Sequence, residues 1–545
     1  MQWLVGSLAV SHSLYGLPTI TLQEETKPWL ESTGNHDIQL AKPKTYEVVS
    51  SRISVVYKPT TQETPPVLPQ IFAAISAGSF HVVVGFSLAY SAILIPQLEA
   101  PDSDLEIDKE NTPWLASVLV LVVPVGAILA GFIMEYAGRL NTIKIAAVPC
   151  LIGWCLIAIG SNFTTVLCGR LLTGVAAGMG TSPAIVYITE VAKPELRGAL
   201  IATCPTLASF GMMLSYLKGA YLTWRTAAWT SVIYVLIPLL LITIWIPESP
   251  VWLVARGRVD EAENSLKWLA GEKSSLPEQQ LAALVKSQDM KALVTSGFMG
   301  RLAGFGRPSG YKPLLVLTGL FFFQQFSGVY TTLFYSVELF KDVGSSMDPS
   351  MATILVGLMR LIMSFFNTAL LRRFGRRPLC MISACGMAVC LIVSGWTTWY
   401  ILDGGDGISW LPVVCVLLYV CSSMIGLLSI PWTMTAELFP TEIRGLAHGV
   451  TISIAHILMF VSIQCYRDVR DLLGGAHALQ WFFAAVALGG VVFIYVFLPE
   501  THGKTLAEIE EYFKENTIYI RRKKPVQRTE NGAPSGEMVM ITSKA

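Results

Sequence analysis

Two glutamines stand side by side in an otherwise apolar run, LLVLTGLFFFQQFSGVYTTLFYS, as Gln324 and Gln325. A primary amide carries two donors and an acceptor, the combination that a ligand hydroxyl can both receive from and give to. An aromatic plane would suit the C–H face of such a ligand, and Trp432 follows Pro431 in a second apolar run. Adjacent residues of a helix point about 100° apart, so two readings are open: contact with a polyhydroxylated ligand, or hydrogen bonds between helices. Tyr330 and Tyr335 lie further along the first run. Tyr335 comes about three turns after Gln324, where it would either close over a site or pack as an ordinary aromatic. Arg360, in ILVGLMRLIMSFF, is a charge inside a hydrophobic segment. Such a charge marks a pathway or a buried pair, or else reaches back toward the headgroups.

A second set of charges recurs. GFIMEYAGRL (131–140) is echoed by TALLRRFGRRP (368–378). Glu190 precedes Arg197-Gly198 by the same spacing as Glu437 precedes Arg444-Gly445, and Pro247-Glu248 is matched by Pro499-Glu500. Each copy follows an apolar segment in the same order. The positive-inside rule would explain the arginines but not the matched glutamates. The pattern predicts an internal duplication, with carboxylates and guanidinium groups forming charge-assisted pairs across the two halves.

The elements that carry these residues follow from hydropathy. Apolar residues make up 53% of the chain and charged residues 14%, with a mean hydropathy of +0.54. A bilayer core of about 30 Å takes roughly 20 apolar residues as a helix. Such segments occur near 70–95, 114–134, 143–160, 166–187, 199–220 and 226–246, and again near 313–337, 351–371, 379–400, 411–434, 446–466 and 479–498. The expected fold is an all-α membrane protein of twelve transmembrane helices in two pseudo-symmetric six-helix bundles. Residues 1–68 are expected as a mostly disordered tail, 69–246 and 313–498 as the two bundles, 247–312 as a linker with short amphipathic helices, and 499–545 as a second tail. In the linker, Val259, Ala262, Leu266 and Leu269 line up as one apolar helix face. Basic residues crowd the linker and the C-terminal tail, whereas the loop after the first span, EAPDSDLEIDKE, is acidic. Both termini and the linker are therefore expected in the cytoplasm. A net charge of +1 argues against nucleic acid as a partner. The ten cysteines all fall in apolar segments and read as small hydrophobes. GxxxxGK[ST] does not occur, which disfavours an ATP-driven pump.

Gly131, Glu135, Gly138 and Arg139, together with PESP (247–250) and PETHGKTLAEIE (499–510), resemble the sugar porter family of the major facilitator superfamily over residues 70–515. QQFSGVYTTLFYS and PWTMTAELFPTEIRG look most like the insect facilitated trehalose transporters within it. The resemblance implies alternating access at a plasma membrane, with a sugar as substrate and the bilayer as surroundings. It implies no enzymatic activity, cofactor or obligate protein partner. It places sugar contacts on Gln324, Gln325 and Trp432. Gating salt bridges would fall on Glu135, Arg139, Glu190, Arg197, Glu248, Arg376, Glu437, Arg444 and Glu500. The chain departs from the family pattern at Arg372, Leu140 and Val251 in the charged motifs, and at Tyr330, Pro205 and Ala455-His456 where the family has sugar-binding amides or Asn-Trp. The site is thus remodelled. Ser87 stands where proton-coupled members carry an acid, which favours facilitated diffusion over proton symport. An organic-anion or polyol porter is the competing reading, favoured by Arg360 and the lost amides; a non-transporting sugar sensor is a third. Asn162-Phe163-Thr164 matches a glycosylation acceptor in a very short loop.

Overall fold

The computed structural model describes residues 67–519 except 106, 109, 271–277, 279, 287–301, 406–407 and 441. The expected N-terminal tail, much of the linker and the end of the C-terminal tail lie outside the described residues. All regular structure within them is helical. This follows from solvent: in a lipid interior, a helix satisfies its own backbone groups without help from water.

Among the described residues, eleven helices are long and apolar enough to cross a membrane: Leu68–Leu98, Thr112–Ala137, Arg139–Ile159, Phe163–Val191, Pro194–Tyr221, Trp224–Ile244, Pro349–Arg373, Arg376–Leu402, Leu411–Glu437, Arg444–Gln464 and Ala476–Phe497. The first six are spans one to six and the last five are spans eight to twelve. Their ends are written locally. Proline opens the second, fifth and eighth within the first two positions, where a missing N–H costs nothing. Asn162, Thr223 and Asp348 accept backbone N–H groups at the starts of the fourth, sixth and eighth. Asn162 thereby spends its side-chain oxygen on the Thr165 N–H and hydroxyl, both at 2.8 Å.

The segment expected as one seventh span is instead three helices in succession, Pro308–Phe326, Val329–Phe334 and Ser336–Asp342. The first break falls at Ser327-Gly328. Gly328 has φ +84°, and a Cβ there would run into the Phe483 ring. The tenth span also breaks, between Ile425 and Ile430, so the interruption comes just before Pro431 rather than at it.

One apolar core joins spans one, two, three, four and six. A second joins the later spans and takes in Ala89, Ala92, Leu119 and Tyr216 from the first half. Span five packs on span eight, and span two on span eleven. Helices approach closely where glycine removes the side chain. A Cβ at Gly85 would overlap the Ala208 carbonyl of span five, and one at Gly357 would press on Tyr216 and Met213. In the linker, helix Val259–Ala270 buries Ala262, Leu266 and Leu269, but Val259 is exposed. It is the helix's first residue, at the end of the face that the others bury.

Candidate functional site

The two broken spans meet. A break in a helix frees carbonyls that would have accepted from the next turn, and Gln324 Nε2 donates to two of them, Leu427 O at 2.7 Å and Leu428 O at 2.9 Å. Gln325 Nε2 in turn donates to Gln324 Oε1 at 3.0 Å. Gln324 is thus occupied by the backbone of span ten, whereas Gln325 Oε1 is buried with no partner. Trp432 lies edge-on to Phe321 at 5.0 Å and to His456 at 5.4 Å. Its indole N–H approaches the Tyr330 hydroxyl without completing a hydrogen bond. Tyr330 also neighbours Arg360, whose Nε and Nη1 are buried and unpartnered. The remaining titratable neighbour of Arg360 is Tyr216, from span five. Residues from spans five, seven, eight, ten and eleven therefore converge on one polar centre, and its free atoms include both donors and an acceptor.

The linker end of the bundle explains the repeated Pro-Glu. Glu248 accepts the backbone N–H groups of Arg139 at 3.1 Å and Leu140 at 3.0 Å, the first residues of span three. Glu500 does the same for Arg376 at 2.9 Å and Arg377 at 3.1 Å, the first residues of span nine. A carboxylate suits a helix N-terminus, where N–H groups are orphaned and the dipole is positive. Gly138 and Gly375 precede these helices, and a Cβ on either would collide with the Glu248 or Glu500 carboxylate. Burial raises the Glu248 pKa, with the backbone N–H donors opposing the rise.

Beside each cap sits one ion pair, Arg139–Glu190 at 2.6 Å and Arg376–Glu437 at 3.0 Å. Ser249 and Thr501, the residues after the capping glutamates, donate to Glu190 and Glu437 at 2.5 and 2.7 Å. These pairs lie within a half, not across the halves as the sequence pattern predicted. The motif arginine opens the span that neighbours its own half's glutamate, so the near partner is local. Glu135, Arg197 and Arg444 form no ion pair among the described residues. The Glu135 backbone carbonyl accepts from Trp252 at 2.9 Å and from the Arg256 guanidinium, and Arg444 Nε donates to Phe439 O at 3.4 Å.

Charges that do join the halves lie at the opposite, far end. Glu99 follows span one, and Arg467 follows span eleven. They pair through two teeth, Nη1–Oε1 at 2.6 Å and Nη2–Oε2 at 3.0 Å. Arg467 also holds Glu338 at 2.7 Å; Arg470 holds Glu338 at 2.8 Å and Asp342 at 2.7 Å. Burial works against the charge on Arg467, but its hydrogen bonds to the Glu99 and Glu338 carboxylates outweigh it and its pKa is raised. Beneath this layer Tyr335 stacks on Tyr466 at 4.7 Å, with Arg467 over its ring. Ser117 donates to Gln464 at 2.6 Å and Tyr216 to Leu333 O at 2.7 Å, also across the halves. Every hydrogen bond or ion pair between described residues of the two halves belongs to this far-end seam.

Sequence reasoning missed the seam because acids and bases in surface loops carry no mark of their partners. It also missed Arg170 in span four. The hydropathy rule that singled out Arg360 applies to it equally.

Comparison with known proteins fits this geometry. The family model described as "Sugar (and other) transporter" matches residues 70–513. The chain belongs to the sugar porter family of the major facilitator superfamily. Among relatives of this sugar porter, the facilitated trehalose transporter Tret1 of Polypedilum vanderplanki is 35% identical over 458 residues, 84% of this chain and 90% of the relative. Tret1 of Aedes aegypti is 35% identical over 462 residues, 84% of this chain but 56% of the relative. The fold matches the proton:xylose symporter XylE bound to 6-bromo-6-deoxy-D-glucose with a TM-score of 0.64 at 24% identity, covering 82% of this chain and all of that one. An inward-open form of XylE from E. coli matches with a TM-score of 0.63 at 21% identity, covering 82% and 98%. This sugar porter is accordingly a multi-pass membrane transporter of sugars and not an enzyme.

Proposed function

We propose that this sugar porter carries trehalose or a related sugar by facilitated diffusion across the plasma membrane, with both termini and the linker in the cytoplasm. Two six-helix halves, residues 69–246 and 313–498, rock about the polar centre between them, and residues 247–312 connect them. The far-end seam is the closed outer gate of a state that opens toward the cytoplasm. Gln325, Tyr330, Arg360 and Trp432 face the substrate, and Tyr335 closes over it. Gln324 braces span ten against span seven. The local clusters Arg139–Glu190–Glu248 and Arg376–Glu437–Glu500 hold helix ends at the cytoplasmic side, where Glu135, Arg197 and Arg444 stand free to pair when that side closes.

The observation that carries this reading is the one-sided seam: the halves are tied by polar bonds at one end, while the centre retains unpartnered donors and an acceptor. No carboxylate occurs in span one, where Ser87 donates to its own helix at Val83 O, 2.9 Å away. That supports uniport over proton coupling.

Purified protein in proteoliposomes, given labelled trehalose or glucose with and without a pH gradient, tests the proposal. Uptake that Gln325→Ala abolishes and the gradient leaves unchanged is the expected result. Absence of any sugar flux in the wild type refutes it.

A further inference from the structure

We propose that Arg360 is a subsite for one carboxylate, so that the solutes this protein favours are sugar acids. The inference rests on the central chamber of the proposed function and sharpens its substrate class.

Its position rules out a return to the headgroups. Arg360 sits near the middle of Pro349–Arg373, about 17–20 Å of helix from either end. That exceeds the reach of an arginine side chain seeking headgroups. Its neighbours are instead the phenols of Tyr330 and Tyr216, which belong to the two spans packed around the centre. Both are neutral, and no carboxylate among the described residues pairs with Arg360.

Arg170 supplies the internal comparison. It too lies within a span and is fully buried where Arg360 is half-buried, but its guanidinium is spent. Nε donates to Leu115 O at 2.9 Å, Nη1 to Ser87 O at 2.7 Å and Nη2 to Ser91 Oγ at 2.5 Å. It therefore ties spans one, two and four together as a structural brace. Arg360 has none of these bonds; Nε and Nη1 are both orphaned. Arg360 is half-buried, and two buried charged N–H groups without an acceptor are unfavourable, so the missing partner is best supplied by what passes through.

The guanidinium fork matches a carboxylate in plane and spacing. Charge balance narrows the choice: one uncompensated positive charge is neutralised by a carboxylate, whereas a phosphate dianion would leave an excess negative charge in the same apolar surroundings. Tyr330 borders both Arg360 and Trp432. A ligand bound at Arg360 would thus extend toward the unpartnered Trp432 N–H. That N–H can donate to a sugar hydroxyl.

Glucose and glucuronate differ by exchange of a CH2OH for a carboxylate and form the decisive probe pair; glucose 6-phosphate tests the charge argument. In proteoliposomes of the full chain, the wild type should take up labelled glucuronate about tenfold or more faster than glucose at equal concentration. Glucose 6-phosphate should compete poorly. Arg360→Gln should collapse the glucuronate-to-glucose ratio by about the same factor, and Arg360→Lys should keep part of it. Competition in the wild type decides the matter even if the variants do not fold: unlabelled glucuronate should block glucose uptake at about a tenth of the concentration that unlabelled glucose needs. If neutral sugars enter while glucuronate neither enters nor competes, or if Arg360→Gln leaves the ratio unchanged, the subsite is refuted and sugar transport stands. If no sugar of either kind enters, the proposed function falls and this inference with it.

Discussion

Glu99→Gln should loosen the far-end seam without disturbing either half. The Glu99 and Arg467 side chains are 22% and 13% exposed, between the surface case, worth up to about 1 kcal/mol, and the buried case, worth about 3–5 kcal/mol when broken. Arg467 keeps Glu338 at 2.7 Å, so its charge is not stranded, and Gln can still offer one acceptor. A loss of about 1–2 kcal/mol follows, which moves the balance between closed and open far ends about five- to thirtyfold. A cysteine placed at Ala116, fully buried near the far end of span two, reports the change through its labelling rate with a membrane-impermeant maleimide. In the Ala116→Cys background, Glu99→Gln should raise that rate by the same factor. Asp104→Asn is the control, because Asp104 pairs with Arg225 at 2.6 Å inside the first half. An unchanged rate with Glu99→Gln, or an equal rise with Asp104→Asn, would show that the cross-half pair does not govern opening.

Further expectations concern the centre and the linker end. Gln324→Leu should lower thermal stability, equivalent to about 1–3 kcal/mol, by leaving the Leu427 and Leu428 carbonyls without a donor; Gln325→Leu should impair uptake with a smaller thermal change, and the reverse order would overturn the division of labour between the two amides. Gly375→Ala should cost about 1–3 kcal/mol in a melting experiment, since its methyl meets the Glu500 carboxylate; a neutral outcome would mean that the cap can shift. For Glu248, a pKa raised by burial means that the native state takes up a proton before the unfolded chain does. Wild-type stability relative to Glu248→Gln should therefore increase as pH falls through that raised pKa toward the ordinary carboxylate value. Melting curves of the two proteins across that range check the sign, and a difference that shrinks would contradict it.

Much of this protein is legible without coordinates. The spans read from hydropathy near 114–134 and 351–371 are the helices Thr112–Ala137 and Pro349–Arg373. Such agreement is physical: in a bilayer each helix must be apolar over its own length and bond its own backbone, so the information is local. The duplicated motifs are equally local. Ion-pair geometry is not. Glu99 and Arg467 lie 368 residues apart, and their union depends on how two bundles are tilted in one state. Arg170 and Arg360 look alike in hydropathy; only their neighbours make one a brace and the other an unmet charge. Gln324 and Gln325 are the same residue type, but the one turned toward the opened backbone of span ten is bonded there, while the Oε1 of the other is left without a partner. Composition and periodicity name the elements and their ends. Contact between distant elements assigns partners to the buried polar atoms, because burial makes each unsatisfied group costly and three-dimensional packing alone says which groups are left unsatisfied.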